Sequence, residues 1–335
     1  MKPIRFLGTF SCALFIVCLV GSTFLAQTQP SQASQIRPTD KPFLWRIEGP
    51  VPSYLYGTVH VPDARVLEIP DVVRRALNAS DVFTAEIPLD GATQSSLLGK
   101  IMLPPGQDLH KILGEDVFAR MIRVIGKTLG TSGMPGMADM LGATLSPMKP
   151  WAAMSQIELL EFIPDIAAGR QPLDATLYGI ASKAGKDLAA LESVDDQVNV
   201  FEGFTNEEQV RMLVATLDDL EKPRPNGLSP AQELVNLYLA GDLNQLALEA
   251  DKQQPKDAAL SKKMTARVVD DRNNTMSAKI AELCSKKPAR SYFFAVGALH
   301  YAGQTGIITQ LTKKGFKITR LGPNDAASIV RKPAA

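Results

Sequence analysis

Two of the chain's three histidines occupy closely related sequence settings near its two ends. The run SYLYGTVH ends at His60, and the run SYFFAVGALH ends at His300. Each is a short aromatic and aliphatic stretch, typical of a buried β-strand, followed by glycine, two further residues and histidine. We expect Gly57 and Gly297 to let the backbone turn where each strand ends, so that both imidazoles lie at the carboxyl end of one sheet.

Two glutamates follow similar apolar runs. Glu86 stands near the end of the predicted strand Asp81–Ile87, and Glu192 ends the run Lys186–Glu192. A carboxylate in such a run is costly to bury unless it is paired or binds a metal, although Glu86 could also lie at an exposed strand end. Together with the two histidines, these carboxylates could bind a divalent metal and leave a position for water, so hydrolysis is the natural reaction class. No HExxH or paired-cysteine motif fixes the geometry of such a site in advance.

Short apolar runs and turn residues predict the strands that would carry these side chains. Phe43–Ile47 and Tyr54–Tyr56 flank a segment rich in Gly and Pro, which predicts a β-hairpin, and Phe316–Leu321 predicts a final strand. Strands alternate with helical patterns along the chain. We therefore predict an α/β fold in which a central mixed sheet, built from two related halves, is surrounded by helices.

Helical periodicity dominates the middle of the chain, where a large Met-rich helical section is predicted at about 95–180. Core packing and a binding groove are both compatible with its methionines. The other helices are predicted at about 70–78, 205–221, 229–240, 242–252, 257–284 and 303–311.

Composition indicates a globular protein with a sizeable core. The 335 residues are 45% apolar, and 36 basic residues nearly balance 35 acidic ones, for a net charge of +1. No block of Lys and Arg stands out. Because nucleic-acid affinity depends mainly on clustered cations, we expect no nucleic-acid partner.

The N-terminus has the layout of an export signal. Lys2 and Arg5 precede an uncharged, mostly apolar run over residues 6–26, which is long enough either to be cleaved or to stay as a membrane tether. Residues 27–40 resemble a flexible spacer. We therefore expect a single exported domain over residues 41–325 with a tail over 326–335, located in the periplasm, secreted or anchored facing outward.

The remaining histidine and the last cysteine are not predicted to do chemistry. His110 opens a predicted helix and is interpreted as a surface or capping residue. Cys284 is the only cysteine outside the apolar N-terminal run, so no intramolecular disulfide is expected in the exported part. We expect Cys284 to be a small buried residue.

Blocks of residues spread along the chain resemble the TraB/GumN family, which is related to the Tiki proteins. The matching blocks are GTVH at 57–60, AEI at 85–87, KPW at 149–151, LD at 173–174, LES at 191–193, Gln197, RN at 272–273 and GALHYAG at 297–303. Their order and spread cover nearly the whole predicted domain.

The resemblance implies a metal-dependent protease acting on a peptide or protein. Its metal ligands would include His60 and His300, and its catalytic residues would be Glu86, which could also bind the metal, with a supporting pair, Arg272 and Asn273. Glu192 is added as a fourth ligand by symmetry with Glu86. The metal would be Mn, Co or Zn.

Two classes of function stay open at this stage. The first is a metal-dependent hydrolase, most simply a peptidase. The second is a regulatory module that binds a ligand or metal without turnover. A metal-independent esterase-like hydrolase is a further alternative, because the family is similar in fold to the erythromycin-esterase and ChaN-like groups, in which analogous His and Glu residues need not hold a metal in the same way.

Overall fold

The computed structural model describes residues 39–224 and 226–329. The predicted export segment over residues 1–26, and all but the last two residues of the predicted spacer, lie outside this range. Within the described range, no helix combines the length and apolar character needed to cross a bilayer. The fold extends to at least Ile329, which is buried, so the first residues of the predicted tail belong to it.

The predicted α/β class is confirmed, because one mixed sheet of six strands lies among helices in the described part of the chain. The strands are β1 (Leu44–Ile47), β2 (Ser53–Thr58), β3 (Val82–Ala85), β4 (Asp187–Ala190), β5 (Tyr292–Gly297) and β6 (Ile318–Leu321). Their order across the sheet is β4-β3-β5-β2-β1-β6. The predicted hairpin is β1 and β2, which pair antiparallel with Ile47 opposite Ser53.

Four neighbouring strands, β4, β3, β5 and β2, are mutually parallel. The two central members of this block are buried along their whole length, as are all the residues of β2. Parallel strands that are covered on both faces need such continuous apolar runs. Their carboxyl ends consequently meet at one edge of the sheet, which is where ligands bind in open α/β folds.

The helices cover the sheet and form the large middle section. They are α1 (Asp71–Ala79), α2 (Gly91–Ile101), α3 (Leu109–Leu113), α4 (Glu115–Thr128), α5 (Met137–Leu145), α6 (Pro150–Glu158), α7 (Ile163–Ala167), α8 (Leu173–Lys183), α9 (Val194–Glu202), α10 (Asn206–Glu221), α11 (Pro230–Ala240), α12 (Leu243–Lys252), α13 (Ala258–Met264), α14 (Asp271–Lys286) and α15 (Ile307–Lys313).

Two helix predictions differ from the structure in detail. The helix predicted over about 257–284 is present, but a π-helical turn, Thr265–Asp270, separates α13 from α14. The helix predicted from Gly303 begins only at Ile307. Gly303 has a left-handed φ of 73°, which breaks the helical pattern and leaves a short loop beside the carboxyl edge of the sheet.

Candidate active site

The four side chains predicted from strand ends lie at the carboxyl edge of the parallel block. His60 is two residues beyond β2, Glu86 directly follows β3, and Glu192 is two residues beyond β4. His300 follows β5 on a 3-10 turn, Ala298–Tyr301. All four are at least nine-tenths buried.

His60 is held by a carboxylate from a distant helix. Its Nδ1 lies 2.7 Å from Asp174 Oδ2, and Thr58 Oγ1 donates to Asp174 Oδ1 at 2.5 Å. Its Nε2 faces Glu86 Oε1 at 3.8 Å. The ring is therefore turned with Nδ1 toward α8 and Nε2 toward the centre of the sheet edge.

His300 has the same orientation but a neutral partner. Its Nδ1 lies 2.7 Å from Asn273 Oδ1, while Asn273 Nδ2 donates to the Thr305 carbonyl at 3.1 Å. Its Nε2 lies 3.2 Å from Nη1 of Arg272. The loop that replaces the first turn of the predicted helix at 303–311 thus fixes the Asn273 amide.

Gly297 marks the point where the two rings come together. A Cβ added there would stand 3.4 Å from His60 Nε2, 3.6 Å from His300 Cδ2 and 3.2 Å from Glu86 Oε1. Both rings therefore approach the same small space. The separation between the two imidazoles is well below roughly 10 Å, the limit for two ligands of a single metal ion. The absence of a side chain at Gly297 keeps that space open.

Arg272 links the two glutamates. Its Nη2 donates to Glu86 Oε2 and, at 2.7 Å, to Glu192 Oε2, while its Nε donates to Glu192 Oε1 at 3.0 Å. Gln197 Nε2 donates to Glu86 at 3.1 Å and to Glu192 at 3.3 Å. The other oxygen of Glu86, Oε1, accepts from the Gly297 amide at 2.7 Å. Glu192 therefore contacts Arg272 and Gln197 here, and its assignment as a metal ligand stays a prediction.

The π-helical turn explains how Arg272 and Asn273 serve one site. The polar residues 270–274 cannot all face the same side of a regular α-helix. The wider turn just before α14 precedes Arg272, which is 4% exposed, and Asn273, which is fully buried. Such π-helical turns are frequently found at functional sites.

The electrostatics give the two histidines opposite character. Burial alone would lower the pKa of His60, but the Asp174 carboxylate and then Glu86 raise that pKa to about 9. Burial and the Arg272 guanidinium lower the pKa of His300 to about 3. Burial would raise the pKa of Glu86, but Arg272 and the Gly297 amide bring it down to about 2.

The residue types at this edge, imidazole and carboxylate, suit a divalent metal, but the Arg272 guanidinium lies among them. A histidine that binds a metal must be neutral, so His60 would give up its extra proton. The carboxylates of Glu86, Glu192 and Asp174 together with Arg272 would then leave two negative charges, which a divalent cation would balance. Imidazole and carboxylate suit Zn, Mn or Co. Within the residues that the structure describes, no three His, Cys, Asp or Glu side chains are arranged to hold an ion. The physical reason is that the guanidinium contacts both glutamates and His300.

Three residues of the site were given no role by sequence reasoning. They are Asp174, Gln197 and Thr58. Asp174 and Gln197 stood in blocks that resemble the family, and Thr58 lies between Gly57 and His60. The sequence therefore contained a signal that could have pointed to each of the three. Their partners lie as many as 116 positions away along the chain, which no local pattern reveals.

The remaining histidine and the last cysteine, which were not predicted to do chemistry, contact other parts of the fold. His110 opens α3, stacks on Phe118 at 4.3 Å between ring centroids and contacts Glu115, as a surface residue would. Cys284 is half-buried on α14, and burial raises the pKa of its thiol to about 11.

The reason for glycine at Gly57 and Gly297 differs from the one expected. Neither has a positive φ, so the backbone does not require glycine for a turn. A Cβ at Gly57 would meet Phe43 Cβ at 2.8 Å, closer than Cβ atoms approach in folded proteins, and Ala298 Cα at 3.1 Å, which is also tight. Close packing, not turn geometry, excludes a side chain there.

Gly57→Val and Gly297→Ala are therefore expected to fail in different ways. Gly57→Val should destabilise the fold by about 1 to 3 kcal/mol, because it overpacks a closed contact. Gly297→Ala should keep most of the stability and lose metal binding, because its methyl fills the space between the rings. Urea unfolding and bound-metal analysis of both variants check this; equal losses of stability would contradict it.

Stability without metal should fall as the pH rises from 6.5 to about 9. His60 has a folded pKa of about 9 against 6.5 when unfolded, so its contribution is complete below 6.5 and lost through 9. The difference corresponds to about 3 kcal/mol. His300 contributes in the opposite window, since its lowered pKa makes stability fall only as the pH drops below 6.5. Urea unfolding in the presence of chelator measures this, with His60→Gln as the control. If the unfolding free energy of that variant depended on pH as in the wild type, His60 would not be the cause.

Comparisons with known proteins show the family of this chain. The family model described as TraB/PrgY/gumN matches residues 43–320. The chain is 25% identical to Metalloprotease TIKI homolog of Amphimedon queenslandica, over 95% of this chain and 69% of that protein. It is 28% identical to Metalloprotease TIKI2 of Danio rerio, over 84% of this chain, and to Metalloprotease TIKI1 of Homo sapiens, over 82%. The chain spans 61% of each of these two relatives. No solved structure gave a significant match. Since the family match covers most of the chain, the chain belongs to the TraB/PrgY/gumN family.

Proposed function

We propose that this protein is a metal-dependent hydrolase that cleaves peptides outside the cytoplasm. The observation that carries the proposal is the convergence of His60, His300 and Glu86 on the space beside Gly297. Three ligands and an open position are the usual composition of a catalytic metal site. The relatives named metalloproteases support the same reaction class.

The residues take distinct roles in this proposal. His60, His300 and Glu86 would hold the ion, with Glu192 as the fourth ligand predicted by symmetry. A bound divalent metal would lower the pKa of its water and polarise a carbonyl. Glu86 would serve the site through Oε1, which faces His60 and accepts from the Gly297 amide, either as a ligand or as the acceptor of a proton from water, while Arg272 holds its Oε2.

Arg272 and Asn273 would complete the catalytic group. Arg272 Nη1, now beside His300, can donate to the substrate carbonyl oxygen as negative charge develops on it. Asn273 keeps the His300 ring in place through its Oδ1. The contacts of Glu192 with Arg272 favour a second role for this carboxylate, which is to hold the guanidinium against the site.

The proposals for the substrate and for the compartment rest on separate observations. The relatives' names indicate a protease, so the substrate class is a peptide or protein. The uncharged apolar run over residues 6–26 supports export, as a cleaved signal or a tether. Fractionation of cells that express the full chain tests export. N-terminal sequencing of the product then distinguishes a cleaved signal from a retained tether.

A binding module without turnover is the second candidate. It is favoured by Arg272, whose guanidinium lies among the ligands and satisfies the glutamates in place of an ion. In that case the site would hold a metal or another ligand by exchanging it for Arg272, and no bond would be cleaved.

Metal loading combined with peptide turnover distinguishes these candidates. The purified chain is stripped with chelator, loaded separately with Zn, Mn and Co, analysed for bound metal and incubated with a peptide library. We expect bound metal and cleavage in the wild type and in His110→Ala, which changes the remote surface histidine, and loss of both in His60→Ala. Metal without cleavage would support the binding module. Cleavage without metal would support the metal-independent alternative.

A further inference from the structure

Asp174 is bound at both carboxylate oxygens by residues of the β2 end. Oδ2 meets Nδ1 of His60 at 2.7 Å, and Oδ1 accepts from Thr58 Oγ1 at 2.5 Å. The residue is only 5% exposed. A carboxylate is costly to bury unless its oxygens are satisfied, so this double contact is what allows Asp174 to lie here.

Helix α8 holds Asp174 against the core. Asp174 is the second residue of the helix, and its neighbours Leu173 and Leu177 are fully buried against the core. A carboxylate in the first turn also interacts favourably with the helix dipole. Because the helix is anchored on both sides of this position, Asp174 acts as a fixed acceptor aimed at the ring.

The contact of His300 with Asn273 shows the same arrangement with a neutral acceptor. Asn273 Nδ2 donates to the Thr305 carbonyl, so its Oδ1 must be the atom that faces Nδ1 of His300. An ionised carboxylate and an amide oxygen can only accept hydrogen bonds. Both rings must therefore carry a proton on Nδ1. The Nε2 atom of His60 is then turned toward Glu86, and that of His300 toward Arg272.

We propose that Asp174 is the positioning residue of this site. It fixes the rotamer of His60 and keeps a proton on its Nδ1, so that Nε2 is presented beside Gly297. Partners of this kind orient metal-bound histidines in general, and changing them typically costs 10-fold to 100-fold in metal affinity. The consequence for metal binding rests on the proposed function, whereas the orientation of the ring does not.

The first test uses NMR of the ring nitrogens in metal-free protein. The chain has only three histidines, so the signals can be assigned with single substitutions. We expect a slowly exchanging, strongly downfield Nδ1 proton on His60 in the wild type. It should be lost in Asp174→Ala, weakened in Asp174→Asn, and retained in Asp71→Asn, which changes an exposed first-turn aspartate of α1. A signal that persists in Asp174→Ala would overturn the proposal.

The second test measures affinity for Zn and Co by competition with a chelator. Asp174→Ala should bind about 10-fold to 100-fold more weakly than the wild type, and Asp174→Asn should lose less. If Asp174→Ala does not fold, Thr58→Val, which removes one of the two contacts of the carboxylate, should give a smaller loss in the same direction. Unchanged affinity in a folded Asp174→Ala would also refute the positioning role. A wild type that binds no metal would refute the proposed function, and the NMR experiment would still decide the role of Asp174.

Discussion

His60→Ala and His300→Ala are each expected to lose about 10³-fold or more in metal-dependent peptide hydrolysis, and the double variant should be no worse than either single one. The two rings approach the same space beside Gly297, so removing one leaves the other without a complete ligand set. Groups that act as a unit give losses far from additive. The value of kcat/KM for a cleaved library peptide, measured with saturating metal, checks this.

Two comparisons sharpen the test. His110→Ala should keep full activity, since this histidine lies on α3 away from the sheet edge. Glu86→Gln should be more damaging than Glu192→Gln, because only Glu86 has an oxygen facing His60. Losses that multiply in the double variant, or a single variant with more than about a tenth of the wild-type activity, would contradict a shared site.

Arg272→Met is expected to cause the largest loss of stability at the site, about 3 to 5 kcal/mol. The guanidinium is 4% exposed and is hydrogen-bonded to two glutamates that are each less than a tenth exposed. Its removal leaves these carboxylates buried close together without their cation. Urea unfolding of metal-free protein near pH 7 measures the change in free energy.

A surface pair on the same helix provides the control. Lys286 contacts Glu282 one turn away at the exposed end of α14, so Lys286→Met should change stability little. Combining Arg272→Met with Glu192→Gln should recover part of the loss, because one unpaired carboxylate is neutralised. If Arg272→Met lost less than about 1 kcal/mol and Glu192→Gln recovered nothing, the cluster would not be held by these charges.

Local patterns in the sequence were sufficient to predict the strand ends. A buried strand requires an uninterrupted apolar run, so β2, β3 and β5 could be recognised, and the polar residue after each run could be identified without knowing its neighbours. The parallel order of these strands then places His60, Glu86 and His300 on one edge. An apolar run and the polar residue that follows it are properties of short segments, which is why the strand ends followed from the sequence, whereas the parallel pairing of the strands is seen only in the structure.

Only the tertiary structure decided what each of these side chains contacts. Asp174 meets His60 across 114 positions, and Arg272 meets Glu86 across 186, so no local periodicity encodes either pair. Gly57 and Gly297 were expected to let the backbone turn at the strand ends. The structure shows instead that Phe43 and Ala298 leave no room for a side chain at Gly57, whereas a side chain at Gly297 would enter the space between the two imidazoles and Glu86; neither requirement comes from the dihedral angles of the glycine. Contacts between distant segments depend on how the helices pack over the sheet, and that packing is set by the whole core at once.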